Sequence, residues 1–413
     1  MSGSRQVTII GGGIVGICCA LALRRDGHAV TVLDPTPGDG ASKSNAGFIS
    51  SGSCVPIATP GIVQRVPKML LDPLAPLAIR WSYLPWIAPW LVRFVRASAP
   101  ARVEAASVAL NELTAIARDC YASLTAGTPA AEHIRTGGVL YVYQSDASFA
   151  GAEWGLELRR RRGVRFELLH GAEVRDLEPA LAPSVRHAVF YRETKFAPDP
   201  RALVLALAEE FTRLGGTVVR EAVTDVTVRP DGPHAVDTTG GRREAEVVVL
   251  AAGAWSRRLA ARLGARVPLD TERGYVAMLP HPGAPPRLPV LSGDYSFAIT
   301  PTDAGLRLSG TVELAGLQAP PNYARARKLI DGAMRVLGSI DPTDATYAMA
   351  FRPSMPDSLP VIGPSPRCPS VFFAFGHGHI GLTCGAVTGQ LVAEMVGGRP
   401  TTIDVAPFRA DRF

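Results

Sequence analysis

The chain contains no apolar run long enough to cross a membrane and no cysteine pattern typical of a metal site or a disulfide framework. A membrane-spanning helix requires roughly 18 to 20 consecutive apolar residues, and the apolar stretches here are shorter. The six cysteines form no CxxC pair and no zinc-type spacing, so we expect buried thiols in a reducing compartment and no bound metal. The sequence also lacks repeats, low-complexity tracts and the GxSxG element of serine hydrolases.

Charged residues are also scarce, at 19% of 413 residues against 47% hydrophobic ones. This size and composition predict one large interleaved unit or two domains around a substantial core. The net charge of +6 suits an anionic substrate, a lipid surface or a nucleic acid. Basic and aromatic residues do not interleave as on RNA-binding surfaces, so we expect no nucleic-acid partner. The N-terminus has no secretory leader pattern, which predicts a cytoplasmic protein.

The clearest local pattern is a strand–helix–strand unit at the start of the chain. Residues 7–10 predict a strand, residues 14–25 a helix and residues 29–33 a second strand. The glycine turn between the first strand and the helix has the form GxGxxG, and Asp34 closes the second strand eighteen positions after Gly16. This arrangement brings backbone amides and a helix N-terminus to a pyrophosphate and a carboxylate to a ribose. It therefore predicts dinucleotide binding.

Two further segments have the same order of buried strand, small-residue turn and helix. They cover residues 247–255 and 376–381. Ligands of α/β sheets bind beyond the carboxyl ends of the strands. Three such junctions therefore predict one extended ligand that is touched by segments far apart in sequence, a dispersal that a compact NAD-binding domain does not need.

Residues 61–96 combine tryptophans, arginines and closely spaced prolines. The prolines are Pro67, Pro73, Pro76, Pro85 and Pro89. One interpretation is a lid or cover packed over the core. The other is an apolar surface facing a membrane, because Arg80, Arg93 and Arg96 lie beside the tryptophans and such pairing suits an interface. The sequence leaves both interpretations open.

A set of blocks carries a family resemblance that spans nearly the whole chain. The blocks are GGGIVGICCALALRRDGHAVTVLD, Ser44-Asn45-Ala46-Gly47, VVVLAAGAW, Arg273-Gly274-Tyr275, Phe351-Arg352-Pro353 with Pro356-Asp357 and Pro360-Val361-Ile362-Gly363, and FGHGHIGLTCGAVTGQLVAEMV. In this order and spacing they resemble the FAD-dependent D-amino-acid oxidase superfamily, and most closely its bacterial D-amino-acid dehydrogenase branch.

The resemblance implies an α/β protein with an α+β second domain. A Rossmann-like FAD-binding domain is expected to be interleaved with a mixed-sheet substrate-binding domain. The FAD-binding domain is expected at residues 1–60, 200–265 and 350–413. The substrate-binding domain, with its helical cover, is expected at residues 61–199 and 266–349.

The resemblance also implies FAD as the cofactor. Some relatives attach flavin to a cysteine, but Cys384 lies one turn into a predicted helix among small residues, which is typical of a packing thiol, so we expect noncovalent FAD. The residues expected at the cofactor are Gly11, Gly13, Ile14, Val15, Gly16, Asp34, Ser44, Asn45, Ala46, Gly47, Val226, Ala252, Gly253, Trp255, Gly376, Gly378, His379, Ile380, Gly381, Leu382 and Thr383.

Four residues are expected at the substrate. The resemblance places the family's substrate arginine at Arg352, whose planar fork suits a carboxylate; the alternative is an ion pair with Asp357. Tyr295 and Tyr275 are candidates for binding the carboxylate or covering the substrate, although each also suits an ordinary sheet position. His379 is a candidate for orienting the amine or the flavin, or for a bond to the backbone.

The implied reaction is oxidation of a D-amino acid, or of a cyclic imino acid such as a D-proline derivative, by hydride transfer from Cα to flavin N5. Electrons are then expected to pass to a quinone or another carrier. Two alternatives stay open: a glycine or sarcosine oxidase-like enzyme that uses O2, and the flavoprotein subunit of a larger amino-acid dehydrogenase. Peripheral contact with the inner face of a bacterial membrane is compatible with residues 61–96, and the oligomeric state is left open.

Overall fold

The computed structural model describes residues 3–61, 77–229 and 234–413. Pro67, Pro73 and Pro76 of the expected cover lie outside these residues. The strands are β1 Gln6–Ile10, β2 Ala29–Leu33, β3 Phe48–Ile49, β4 Leu77–Ile79, β5 Val139–Tyr143, β6 Glu167–His170, β7 His187–Tyr191, β8 Lys195–Phe196, β9 Thr217–Val219, β10 Val223–Thr227, β11 His234–Thr238, β12 Gly241–Ala245, β13 Val247–Leu250, β14 Asp270–Leu279, β15 Val290–Ser292, β16 Phe297–Thr302, β17 Gly305–Leu314, β18 Thr346–Ser354, β19 Val361–Pro364 and β20 Val371–Phe375.

The helices connect these strands and cover the sheets. They are α1 Ile14–Arg25, α2 Leu84–Ala97, α3 Pro100–Ala115, α4 Ala117–Thr125, α5 Asp146–Ala150, α6 Glu153–Arg161, α7 Ala172–Leu177, α8 Pro200–Arg213, α9 Ser256–Arg262, α10 Ala324–Leu337 and α11 Gly381–Val396. Among the described residues, no helix is long and apolar enough to cross a membrane.

The first sheet has six strands in the order β19-β20-β13-β1-β2-β9. All neighbours run parallel except the edge strand β19, which is antiparallel to β20. Strands β20, β13 and β1 are adjacent, so their carboxyl ends lie side by side at one edge of the sheet. The three strand-to-turn junctions predicted from the sequence therefore meet at this edge.

Both faces of the first sheet are buried, as in doubly wound α/β folds. On one face the side chains of Val7, Ile9 and Val249 pack against α1, α8 and α11. On the other face Ile10 and Leu250 pack against α9 and the antiparallel sheet β10-β11-β12. The Rossmann-like layer predicted from the sequence is confirmed.

The second sheet is mixed and larger. It has nine strands, in the order β18-β14-β17-β16-β15-β5-β7-β6 with β4 paired to β17. Most neighbours are antiparallel, while β15 with β5 and β17 with β4 are parallel. Helix α10 packs on one face of this sheet through Leu329, Ala333 and Val336. This agrees with the predicted mixed-sheet second domain, whereas the residue boundaries of the two domains stay a prediction.

Two helical regions differ from what the sequence pattern suggests. The pattern over residues 101–124 predicts one helix, but the structure has α3 and α4, separated at Ile116. In helix α2, Pro85 occupies the first turn, where no intrahelical N–H bond is lost, whereas Pro89 lies inside the helix and leaves one carbonyl of the preceding turn without its N–H donor. Ile87 and Trp90 of α2 are buried against Leu314 of the second sheet, and the Trp90 indole donates to the Ser354 carbonyl oxygen. The described part of the expected cover thus packs on the second sheet.

Helices α1 and α11 approach each other closely because glycines line their contact. A Cβ atom added to Gly389 of α11 would lie 2.6 Å from the carbonyl oxygen of Cys18 in α1. This distance is shorter than van der Waals contact, and backbone atoms have little freedom to move away. Gly389 is therefore required by the packing of α11 on α1.

We expect Gly389→Ala to lower the free energy of unfolding by about 1–3 kcal/mol, because the added methyl forces two packed helices apart. The measurement is the urea unfolding midpoint of the flavin-loaded protein, followed by circular dichroism. The matched control is Gly155→Ala, also inside a helix, where the nearest atom is the movable Nη1 of Arg159. This control is expected to be neutral or to stabilise by up to about 1 kcal/mol. Equal midpoints for both variants would contradict the packing argument.

Candidate active site

The glycine turn after β1 is shaped by two close approaches. Gly11 has φ of 113°, and a Cβ there would overlap the backbone of Ala251 at the end of β13. A Cβ on Gly16 would overlap the carbonyl oxygen of Gly11. Gly13 differs, because its nearest neighbour would be Ser42 Oγ at 3.6 Å. Gly11 and Gly16 are thus required by the packing of the protein, whereas Gly13 leaves room for a ligand.

Two side chains hold this turn in place. Both Asp34 carboxylate oxygens accept backbone hydrogen bonds, from Gly12 at 2.6 Å and from Thr36 at 2.8 Å. The Ile14 backbone N–H, at the start of α1, donates to Ser42 Oγ at 3.1 Å. Ser42 was not expected from the sequence, because the cap comes from a loop rather than from the residue before the helix. Asp34 therefore holds the turn in its conformation through both of its carboxylate oxygens.

A cavity of about 1580 Å³ follows the edge where the three junctions meet. It exceeds the roughly 300–1,000 Å³ of most small-molecule sites, as an extended dinucleotide requires. The expected cofactor residues that line it are Gly11, Gly13, Ile14, Val15, Asp34, Asn45, Ala252, Gly253, Trp255, Gly376, Gly378, Gly381 and Leu382.

The other expected cofactor residues do not line this cavity. They are Gly16, Ser44, Ala46, Gly47, Val226, His379, Ile380 and Thr383. Thr383 Oγ1 is engaged with the backbone, because it donates to the Phe48 carbonyl oxygen and accepts from the Ser50 N–H. Val226 is buried in the three-stranded sheet, and Ala222 and Val223 line the cavity near it instead.

Four aromatic side chains form part of the lining of this cavity. Tyr83 and Trp86 come from the start of the cover, Trp255 follows β13, and Phe351 lies on the edge strand β18. The rings of Trp255 and Phe351 meet edge to face with centroids 5.6 Å apart. This contact joins the first layer to the second sheet, and a motif search misses it because the two residues come from distant segments.

One face of the second sheet contacts the first layer, which is the six-stranded first sheet with its helices and connecting loops. Thr300 Oγ1 donates to the Ala46 carbonyl oxygen at 2.8 Å, and Arg307 Nη1 donates to the Pro198 carbonyl oxygen at 3.1 Å. Arg307 is paired with Met278 of β14, and paired residues point to the same face. The Met278 position therefore marks the face of β14 that looks toward the first layer.

The same face carries the expected substrate arginine. Side chains alternate along a strand, so counting back by twos from Met278 along β14 leads to Glu272. Glu272 is paired with Arg352 of the edge strand β18. Arg352 is half-buried and does not line the large cavity, although its neighbours Phe351 and Pro353 do.

The Arg352 guanidinium is held by a strained residue on β17. Its Nη1 donates to the carbonyl oxygen of Thr311 at 2.8 Å. Thr311 has φ of 59°, which is unusual for a β-branched residue, and lies where the register between β14 and β17 shifts. Gly274 leaves space for the guanidinium, since a Cβ there would overlap it. The bulge and the glycine together fix the position of Arg352.

Arg352 has donors available for a ligand. A guanidinium carries five N–H donors, and no carboxylate among the described residues lies within ion-pair distance of it. The alternative partner, Asp357, instead pairs with Arg412 at 2.8 Å. Burial lowers the pKa of Arg352, and the charge of Glu272 opposes this shift. The guanidinium remains charged at neutral pH, so this position suits an anion.

Glu272 connects Arg352 to the glycine-rich turn after β20. Its Oε2 lies 2.7 Å from Nε2 of His379. Burial by itself raises the pKa of the Glu272 carboxyl, but His379 and Arg352 outweigh burial and hold that pKa below its usual value. His377 in the same turn is buried, which lowers its pKa to about 3, and its Nε2 lies 3.0 Å from Thr388 Oγ1. Glu272 is thus a carboxylate and His377 a neutral imidazole at neutral pH.

The two tyrosines are not brought to Arg352. The Tyr275 side chain points to the opposite face of β14 from that of Glu272. Its hydroxyl donates to Glu313 Oε2 at 2.6 Å and accepts from the Asn322 N–H at 2.9 Å. Burial, followed by the bond to Glu313, raises the pKa of Tyr275 to about 12. Tyr295 lies in the turn before β16 and packs against the apolar cluster that α10 forms with the second sheet.

Comparison with known proteins identifies the family of the chain. The family model described as FAD dependent oxidoreductase (DAO) matches residues 6–395. A protein named D-amino-acid oxidase from Bradyrhizobium diazoefficiens is 40% identical over 100% of both chains. A protein named D-amino acid dehydrogenase from Paramagnetospirillum magneticum is 32% identical over 99% of both chains.

Solved structures have the same fold. Glycine oxidase from Geobacillus kaustophilus superposes with a TM-score of 0.73 over 100% of both chains, at 22% identity. L-proline dehydrogenase from P. horikoshii superposes with a TM-score of 0.74 over 100% of this chain and 98% of that chain, at 18% identity. The family model and the relatives at 40% and 32% identity confirm the family predicted from the sequence: the chain belongs to the DAO family of FAD-dependent oxidoreductases.

Proposed function

We propose that this enzyme oxidises the carbon–nitrogen bond of a D-amino acid, or of a cyclic imino acid of the D-proline type. The observation that carries the proposal is Arg352, a fixed guanidinium with unused donors beside the glycine-rich turn at 376–381. An amino acid offers the carboxylate that such a group binds through two parallel hydrogen bonds. The relatives at 40% and 32% identity, named for D-amino-acid oxidation, support the same substrate class.

The residues at the sheet edge fit FAD. Gly13 and Gly253 face open space, since an added Cβ would meet Ser42 Oγ at 3.6 Å in the first case and nothing within 4 Å in the second. The N-terminus of α1 points its positive end at this space, where a pyrophosphate is stabilised. Asp34 is proposed to bind the adenosine ribose. When bound, FAD supplies the hydride acceptor for the substrate Cα–H bond.

The protein's own part is to bind and orient the amino acid. Arg352 binds the substrate carboxylate. The hydrogen bond from its guanidinium to the Thr311 carbonyl oxygen restricts the movement of the guanidinium. Positioning of this kind removes much of the entropic barrier to reaction. The edge-to-face contact of Trp255 with Phe351 closes the junction between the two layers next to this site.

We expect Gly13→Ala to weaken FAD binding about 10-fold or more, because the methyl prevents close approach of the pyrophosphate to the backbone amides. The backbone at Gly13 is extended, so alanine fits there without strain. The measurement is titration of apoprotein with FAD followed by flavin fluorescence. Gly155→Ala, which lies away from the cavity, is the control and is expected to bind FAD like the wild type. Unchanged affinity in Gly13→Ala would contradict the proposed pyrophosphate site.

The function itself is tested by anaerobic bleaching of bound flavin with a panel of D- and L-amino acids and prolines. We expect bleaching by D-amino acids, and in Arg352→Lys a fall in kcat/KM of about 10- to 100-fold, because lysine cannot replace the paired bonds. Arg287→Lys, an exposed position, is the control. Absence of bleaching by every amino acid would reject the function, whereas full activity of Arg352→Lys would reject only the role of Arg352.

We propose a quinone or another carrier as the electron acceptor. Transfer to O2 is the second candidate, and the name D-amino-acid oxidase of the relative at 40% identity favours it. Peroxide production measured beside dye reduction, with the same substrate, separates the two. A third arrangement, in which the chain is one subunit of a larger dehydrogenase, predicts weak activity alone and recovery with partner proteins.

A membrane quinone requires contact with a lipid surface. We propose that α2 and the turn before it, Trp81–Tyr83, make this contact. Trp81 is 68% exposed, and Trp86, which also lines the large cavity, is 77% exposed. Arg93 and Arg96 of α2 are exposed as well. Indole rings beside arginines suit the headgroup region of an anionic bilayer.

We expect the wild type to cosediment with vesicles containing phosphatidylglycerol, and the double variant Trp81→Ser, Trp86→Ser to bind them about 10-fold more weakly. The matched control is Trp154→Ser, because Trp154 is also exposed but lies on α6. Wild-type protein that stays in solution with these vesicles would contradict the contact.

A further inference from the structure

The buried carboxylate of Glu272 does not line the large cavity, yet it contacts His379 and lies opposite Arg352 in the β14–β18 ladder. It is 5% exposed, is paired with Arg352 across the β14–β18 ladder, and binds His379 at 2.7 Å. The two residues of this bond are 107 positions apart in the sequence. A buried carboxylate is costly unless it is charge-paired and hydrogen-bonded, so its position here needs a reason.

The bond to Glu272 determines which nitrogen of His379 is available. Because Glu272 is ionised, its oxygen accepts a hydrogen bond and His379 Nε2 carries the proton. In the neutral imidazole Nδ1 then has a free lone pair, and no hydrogen bond to Nδ1 is present among the described residues. The His379 side chain is 40% exposed and lines a cavity of about 240 Å³ next to the glycine-rich turn. His379 is therefore oriented as a proton acceptor.

The charged and titratable groups around this pair come from three elements. Arg352 of β18 faces Glu272, and Arg159 of α6 lines the same small cavity as His379. His377 lines that cavity too, but its pKa of about 3 keeps it neutral. Arg352 and Arg159 are thus cations near this pair, and Glu272 is the anion in direct contact with His379.

Oxidation of an amino acid at Cα needs a neutral amine, whereas a free amino acid carries an ammonium group at neutral pH. We propose that Glu272 positions His379 as the acceptor of the proton that the substrate ammonium loses. An N–H bond of the ammonium breaks, the proton forms an N–H bond at His379 Nδ1, and the resulting imidazolium faces the Glu272 carboxylate. The proton then leaves to solvent from the exposed side of the ring. This inference rests on the proposed amino-acid oxidation.

The test is kcat/KM of the FAD-loaded Glu272→Gln variant at about pH 7 and at about pH 10, where the substrate amine is already neutral. The change keeps a hydrogen-bond acceptor for Nε2 but removes the charge. We expect a loss of about 100-fold at pH 7 that shrinks to within about 3-fold at pH 10, because the proton acceptor is then not needed. His379→Asn is expected to show the same pattern, and the double variant no further loss, since the two residues act as a unit.

Glu178→Gln is the matched control. Glu178 is also a buried acid, but its carboxylate accepts from the backbone N–H groups of Arg287 and Leu288. Any loss of activity in this variant is expected to be equal at both pH values. An equal loss at both pH values in Glu272→Gln, or no loss at pH 7, would overturn the inference while an active wild type leaves the proposed function intact. An inactive wild type rejects the proposed function and the inference together.

Discussion

The close approach of the glycine turn after β1 to the end of β13 is the constraint on which the site depends. A side chain at Gly11 would overlap Ala251, and one at Gly16 would overlap Gly11 itself. Only with these glycines do β1 and β13 lie side by side while α1 starts directly above their carboxyl ends. The neighbouring strand β20 adds the turn at 376–381 to the same edge. One sheet edge thereby presents backbone N–H groups, a helix N-terminus and an imidazole-bearing turn to a single ligand.

A second constraint decides which side chains face that edge from the other layer. The face of β14 and β18 is set by strand register, and a shift by one residue would turn Arg352 and Glu272 to the opposite side. The bulge at Thr311 absorbs the irregularity between β14 and β17 and directs a carbonyl oxygen to Arg352. Backbone strain at a β-branched residue persists only where the surroundings impose it. Here it holds the one group proposed to bind the substrate carboxylate.

These constraints explain how much the sequence could predict. The first strand, α1 and β2 were predictable within a residue, because their glycines, apolar residues and terminal acid are local signals. The site between the layers was not, since the Glu272–His379 bond depends on pairing over 107 residues. Tyr275 illustrates the difference: its strand could be predicted, but its face depends on where α10 covers the sheet. Ser42 was missed for a similar reason, because it caps α1 from a separate loop.

The charges at the junction indicate which ligand suits it. Arg352 is a half-buried cation that no described carboxylate pairs with directly, and Glu272 is a buried anion bound to an imidazole. The Arg352 guanidinium has N–H donors that no described carboxylate accepts, so a ligand carboxylate gains hydrogen bonds by binding there. A simple carboxylic acid would satisfy Arg352 alone. Under the proposed roles, an α-amino acid brings a carboxylate to Arg352 and an ammonium proton to His379, so it satisfies both groups at once.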